Sequence, residues 1–421
     1  MDGYYAWMIV ATALVLMMTT PALALFYGGM TRSKSVLNMM MMSYTAMAVV
    51  GIIYVLWGWS MAFGPDDVGG LFAKPTTLFA LRGVEWGSYV AVCFQMTFAV
   101  ITAALISGAI ADRVKFSAWL VFLPLWITAC YLPISHMVWA SGVGFISKNL
   151  GAQDYAGGTV VHINAGVAGG ILALIIGSRV GFRRDPMRPH NLTLTMVGAG
   201  LLWFGWYGFN VGSLVFLEGD GGAKDTAQFM SETGVTFLNT TVATMAAMLA
   251  WLLTERVTHG KATSLGAASG IVAGLVAITP SCGAVDVAGA LAIGAAAGVL
   301  CSLAVGLKYR FKVDDSLDVV GVHLVGGLVG TVLIGLFSTS AAPGGIDGLF
   351  YGGGFESLLD QAGAAGIAIL WTGVLTTVIA VAIKYTIGWR IDGDAEVAGI
   401  DAAEHGESAY DLVSGTGSHI L

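Results

Sequence analysis

Two imidazoles stand where imidazoles are costly. His162 lies inside the small, apolar run DYAGGTVVHINAGVAGG, residues 154–170, and His323 inside DVVGVHLVGGLVG, residues 318–330. Gly follows each His at the fourth position (Gly166, Gly327) and at the seventh (Gly169, Gly330). On a helix these positions are neighbours, so each ring shares a face with residues that let another backbone come close. Eight helical steps from Asp154 to His162 cover about 12 Å, which reaches near the middle of a hydrocarbon layer about 30 Å thick. An ionisable side chain at that depth points to function. Two rings in contact can share one proton, one donating and the other accepting, and burial favours the neutral form of both at rest. Such a pair offers a polar step in a dry passage and a route for a proton. No third His, Cys or carboxylate lies within a turn of either ring, so neither a metal nor another cofactor is expected.

Membrane spans must position these rings. The chain has 421 residues, 56% hydrophobic and 11% charged, against about 25% charged in soluble domains. Too little polar surface remains to coat a soluble core, and the net charge of −7 with no basic, aromatic-interleaved cluster gives no sign of nucleic acid. Apolar blocks of spanning length predict an all-α polytopic membrane protein with eleven helices at 5–29, 37–63, 87–111, 116–136, 157–177, 191–214, 228–253, 263–280, 284–307, 319–340 and 364–388. Fifteen of the nineteen Lys and Arg fall in alternate loops or past the last block, among them Arg32, Arg113, Arg179, Arg256, Lys308 and Arg390. The other four are Lys74, Arg82, Lys148 and Lys224. That asymmetry places the N-terminus outside and the C-terminus in the cytoplasm of a multi-pass cell-membrane protein.

The matched His runs fall in the fifth and tenth spans, which predicts an inverted five-plus-five repeat around a central pore, with the site near the midplane. Residues 1–384 form the membrane domain, with halves of roughly 1–180 and 190–342, and 385–421 form a cytoplasmic tail. Asp154 and Asp318 are expected to begin the two His helices from opposite sides, as N-caps with room for a second role. The four Cys (Cys93, Cys130, Cys282, Cys301) lie in apolar blocks without a C-x-x-C pair and read as small buried hydrophobes. MDGYYAWM has no basic n-region, so no cleavable signal is expected. The tail is too short for a catalytic domain but long enough to dock a partner.

Aromatics supply the remaining chemistry. Phe94 and Phe98 lie four apart on one face, Trp139 closes the fourth span, and Phe209 precedes Ser213 by four. Aromatics in spans usually pack or form interfacial belts. Phe98, Trp139 and Ser213 meeting at an outer mouth would suit a small cation, held by ring faces at about 2 kcal/mol when desolvated and by the hydroxyl. No Walker lysine, G-x-S-x-G elbow, H-E-x-x-H motif or carboxylate dyad at depth is present, so no enzyme is expected.

The segments FYGG (26–29), FQMTFAVITAALISGAIADR (94–113), PISHMVW (133–139), DYAGGTVVHINAGVAGG (154–170), PHN (189–191), GWYGFNVGS (205–213), TPSCG (279–283) and DVVGVHLVGG (318–327) run in order along nearly the whole chain. Together they resemble the ammonium transporter (Amt/Rh) family, on its Amt side. The resemblance implies a homotrimer in the membrane lipid, one pore per subunit, and ammonium or ammonia as cargo, with methylammonium an open alternative. It implies that His162 and His323 are the pore's twin histidines and that Phe98 and Phe209 are a stacked gate. Phe98, Trp139 and Ser213 match the recruitment site, and Asp154 the essential acidic residue beside it. GESAY (406–410) resembles the tail that couples subunits and meets a PII-type signal protein. Two departures stand out: Leu324 where Gly is usual, expected to narrow the packing, and a long loop between Trp139 and Asp154. An ammonium sensor on the same pore is the alternative function.

Overall fold

Each of the eleven apolar blocks is helical in the computed structural model, which describes residues 2–184, 187–214 and 223–410. Among the described residues, ten helices are long and apolar enough to cross a membrane. They are α1 (Gly3–Met30), α2 (Val36–Phe63), α3 (Trp86–Ile110), α4 (Phe116–Trp139), α5 (Gly158–Ile176), α6 (Leu192–Val211), α7 (Thr226–His259), α9 (Val287–Phe311), α10 (Val320–Phe337) and α11 (Glu356–Thr386). Between α7 and α9 lies the shorter apolar helix α8 (Ser264–Ile278). Its 15 residues rise about 22 Å, because Thr263 caps one end, accepting the Gly266 N–H at 2.8 Å, and the TPSCG turn closes the other. Side-chain caps also start α6, where Asn191 accepts from Leu194 N–H, and α9, where Asp286 accepts from Gly289 N–H, satisfying donors that a helix start leaves open.

Two expectations are corrected. The eleventh helix begins at Glu356 rather than 364, since an acidic first turn suits a helix N-terminus. Cys130, Cys282 and Cys301 are buried, but Cys93 is exposed. Between α2 and α3 the helical fold carries a small antiparallel hairpin, β1 (Asp67–Val68) and β2 (Phe72–Ala73).

Helices α5 and α10 lie against each other, and α11 packs along both. A Cβ at Gly166 would come within 2.5 Å of the Leu324 nitrogen. The missing side chain at 166 therefore lets the backbone of α10 at residue 324 come this close. The long loop after Trp139 carries a short helix, Phe145–Asn149, held to the hairpin by the Phe145 N–H on the Gly70 carbonyl at 2.8 Å.

At the opposite face from Trp139, buried charge fastens the helix ends. Arg113 is fully buried and donates to the carbonyls of Ala109, Ala111, Gly177 and Asp314 and to the Ser316 hydroxyl, at 2.7–3.1 Å. Burial lowers its guanidinium to about 10, opposed by the nearby Asp314 carboxylate, so it stays charged at neutral pH. Arg179 pairs with Asp314 at 3.2 Å and Arg32 with Asp112 at 2.6 Å. The tail lies across this face. Asp401 accepts the Leu37 and Asn38 N–H at the start of α2, Glu404 the Phe116 N–H at the start of α4, and Glu396 the Val180 N–H beyond α5. Tyr410, the last residue of GESAY, donates its hydroxyl to His190 Nε2 at 2.8 Å. Residues 411–421 of the tail lie outside the described residues.

Candidate functional site

The first turn of α5 (Gly158–Ile163) and that of α10 (Val320–Leu324) are wound as wider, π-type turns, and each carries its histidine. Such turns recur where a helix must aim a side chain. They bring the two rings together: Nδ1 to Nδ1 is 3.3 Å, the centroids are 5.4 Å apart and the planes meet at 19°. One nitrogen donates and the other accepts. The Trp206 ring stacks on His162 at 5.5 Å and is itself fixed by its Nε1–H on the Thr279 hydroxyl at 2.8 Å. His162 Nε2 is buried and has no hydrogen-bond partner among the described residues. Both His rings line a small cavity of about 10 Å³ whose other walls include Ile101, Leu105, Trp206 and Phe209, space for about one water-sized molecule.

A run of rings leads to this cavity. Phe98 and Phe209 stack at 4.1 Å and 19°, both buried. Phe209 lies 6.2 Å from His162, and Trp139 meets Phe98 edge-on at 5.7 Å. Phe94 touches Phe98 at 4.9 Å. The structure thus brings together Trp139, Phe98, Phe209, His162 and His323. It places Ser213 one turn beyond Phe209, with its hydroxyl donating to the Phe209 carbonyl at 2.8 Å.

Asp154 anchors the start of α5. Its carboxylate accepts four backbone N–H groups, from Gly157, Gly158, Thr159 and Val160, at 2.6–3.1 Å. Gly157 sits at φ 118°, a left-handed conformation that lets the chain fold back over the carboxylate and that side-chain-bearing residues rarely adopt. The Asp154 carbonyl accepts the Trp139 Nε1–H at 2.9 Å, which fixes the indole at the entrance.

The counterpart of Asp154 is not Asp318. Asp318, at φ 63°, pairs with Lys308 Nζ at 2.6 Å. Asp315 instead accepts the Val319 and Val320 N–H, at 3.0 and 2.8 Å. It precedes His323 by eight residues, as Asp154 precedes His162. The matching interval of eight is the sequence signal that marks Asp315; Asp318 is nearer the ring and lies within the His run, but lacks that interval. Burial raises the Asp315 carboxyl to about 6, with Asp318 adding to the rise and Lys308 opposing it. A folded value above the unfolded one favours the protonated fold. The resulting stability is complete below about 4 and lost as pH climbs through about 6. We expect the wild type to lose melting temperature relative to Asp315→Asn between pH 4 and 6, with a constant gap above that. A gap that does not change across this window refutes the assignment.

A vestibule of about 320 Å³ opens beside Trp139 and Asp154, lined also by Tyr155, Gln228, Glu232 and Pro280. Glu232 is 4% exposed and accepts the Tyr155 hydroxyl at 2.8 Å. Sequence reading passed over it, although a carboxylate inside a predicted span carries the same flag as the histidines.

A sequence profile described as the Ammonium Transporter Family matches residues 6–410. An ammonium transporter from Mycobacterium tuberculosis is 53% identical over 451 aligned positions, covering 99% of this chain and 92% of that one. One from Bacillus subtilis is 41% identical, covering 94% and 96%. Among solved structures, Saccharomyces cerevisiae Mep2 superposes with a TM-score of 0.82 at 32% identity, covering 93% of this chain and 90% of that chain. A protein titled Sensor Amt Protein superposes at 0.85 with 27% identity, covering 96% and 98%.

Proposed function

Since the chain belongs to the ammonium transporter family, we propose that it moves ammonium across the cell membrane by stripping a proton at the Trp139 end and passing ammonia through the His-lined cavity. The single observation that carries this reading is the stacked Phe98–Phe209 pair, at 4.1 Å, above two imidazoles in contact at 3.3 Å. A bare ammonium ion crossing so dry a passage would forfeit hydration worth tens of kcal/mol, whereas neutral ammonia loses only a few.

In this reading the cation gathers at the faces of Trp139 and Phe98, with Ser213 accepting one of its hydrogens and the Glu232 and Asp154 carboxylates drawing it in. The four N–H bonds to Asp154 support a role in holding α5 and the indole rather than in taking the proton. Ammonia then passes as the Phe pair parts and hydrogen-bonds in turn to His162 and His323. The chain of ring nitrogens gives the proton a separate route. The orientation, with Trp139 outside, follows the Lys and Arg distribution, and the shared eight-residue Asp–His interval supports an inverted repeat. Three such subunits would each hold a pore. The tail, 385–421, whose Asp401 and Glu404 hold the starts of α2 and α4, suits a site where a PII-type protein reads or sets the state of the cytoplasmic face.

Current across a supported membrane after an ammonium jump tests the proton route. We expect a transient current in the inward direction. Equilibration of ammonia with no current would leave a neutral-gas channel and eliminate the relay.

A further inference from the structure

His136 lies in α4, three residues before Trp139, and is fully buried. Its Nδ1 is 2.8 Å from the Ala62 carbonyl oxygen at the end of α2, and its Nε2 is 3.0 Å from Asp67 Oδ1 on β1. Neither partner suits a bare ring nitrogen. A carbonyl oxygen can only accept, so Nδ1 carries a hydrogen. A neutral imidazole has one N–H, which would leave the Nε2 lone pair facing a carboxylate oxygen. Asp67 cannot readily resolve this by donating. The same Oδ1 already accepts the Gly70 N–H at 2.8 Å, so it faces the ring as an acceptor too.

We propose that His136 is held as an imidazolium between Ala62 and Asp67, and that this proton fastens the outer end of α4 to α2 and the hairpin. The fastening matters because of what surrounds it. The His136 carbonyl accepts the Ala140 N–H, and the hairpin's Gly70 carbonyl accepts the Phe145 N–H, so both sides of Trp139 are tied to the same unit. His136 is thus a positioning residue for the indole. This rests on the reading of Trp139 as the entrance. Removing the proton sets two lone pairs against each other in a buried site and dissolves a charge-assisted bond.

Titratable groups on elements packed against this end of α4 include Tyr54 in α2, Asp66 and Lys74 on the hairpin segment, Tyr131 in α4, Lys148 on the short helix, Asp154 before α5 and His162 in its first turn. Asp66 accepts the Thr77 hydroxyl, and Asp154 is spent on its four N–H groups. Among the described residues only Asp67 pairs with the ring.

The informative substitution is Asp67→Asn. Its amide can donate to a bare Nε2, so a neutral His136 satisfies both contacts and the fastening no longer needs a proton. Nitrogen-15 histidine spectra of the full chain in lipid nanodiscs read the state directly. The His136 signal is identified by its loss in His136→Gln, or, if that variant does not fold, as the one that moves in Asp67→Asn. We expect two protonated nitrogens near neutral pH in the wild type and one bare nitrogen in Asp67→Asn. A bare nitrogen in the wild type, or spectra unchanged by Asp67→Asn, overturns the proposal. Ammonium uptake then tests the consequence. The ratio of wild-type to Asp67→Asn uptake should fall by about tenfold as external pH is raised past the loss of the doubly protonated signal, the size expected for losing a hydrogen bond to a charged group. A ratio independent of pH overturns the link to Trp139. Absence of uptake by the wild type at every pH would count against the transport reading alone, since the spectra still report on His136.

Discussion

Replacing His162 and His323 together with Leu is expected to cut ammonium flux by about a hundredfold while the protein still folds. The two rings meet at 3.3 Å and line a cavity of about 10 Å³, so they are the polar partners that ammonia would find beneath the Phe pair. Each hydrogen bond left unmade in a dry site costs about 1–3 kcal/mol. Two of them raise the barrier by roughly 3 kcal/mol, which is about two decades in rate. Stability should change little, because exchanging both members of a buried polar pair for apolar groups of similar size is often close to neutral. Removing only one ring leaves the other unpaired and should be worse for folding than removing both. A pair of Asn substitutions separates conduction from proton relay: amides offer hydrogen bonds but carry no proton at neutral pH. Flux partly restored without current would assign the proton route to the imidazoles. Undiminished flux through the Leu pair, measured by uptake into proteoliposomes with the folded fraction checked by gel filtration, would refute the mechanism. Retained flux with loss of a downstream nitrogen response would favour the sensor reading.

Arg113→Met should be the most damaging single change to the fold. The guanidinium is fully buried and makes five hydrogen bonds, to segments following α3, following α5 and preceding α10. Breaking one member of a buried charged network costs about 3–5 kcal/mol. Here four carbonyls and a hydroxyl would lose their donor, where water does not readily replace it. For a chain of this size we expect the melting temperature to drop on the order of 10 °C, or the protein not to accumulate. Arg113→Lys keeps the charge but replaces a planar fork with a point donor, so it should fall between the two. A melting curve for Arg113→Met that overlays the wild type would show that the fastening is dispensable. Both the α5 and the α10 histidine helices end or begin at this knot, so a partial loosening should also show as lower flux in Arg113→Lys.

Much of this was legible in the residues themselves. Hydropathy is a local property, and the cost of placing charge in hydrocarbon leaves long apolar blocks that are visible without neighbours; all eleven blocks are helices. The two histidines were legible for the same reason, since an imidazole amid Gly, Val and Ala has no cheap explanation. Phe98, Phe209 and Trp139 were not separable from the other rings by chemistry; order along the chain and the family resemblance singled them out.

Tertiary structure alone decided which groups meet. Asp318 is nearer to His323 in sequence, yet Asp315 holds the helix start, because the φ 63° turn at Asp318 carries its carboxylate to Lys308. Arg113 and Arg390 looked alike as topology markers, but only Arg113 is enclosed by carbonyls from three segments. The close seat of Leu324 on Gly166 sets the depth at which α5 and α10 cross, and with it the contact between the imidazoles. Composition and spacing specify what one helix can present. The rotation and depth of each helix against its neighbours are set by packing across residues far apart in the chain, and that is where the ring contacts, the Asp315 cap and the seat of His136 between Ala62 and Asp67 are determined.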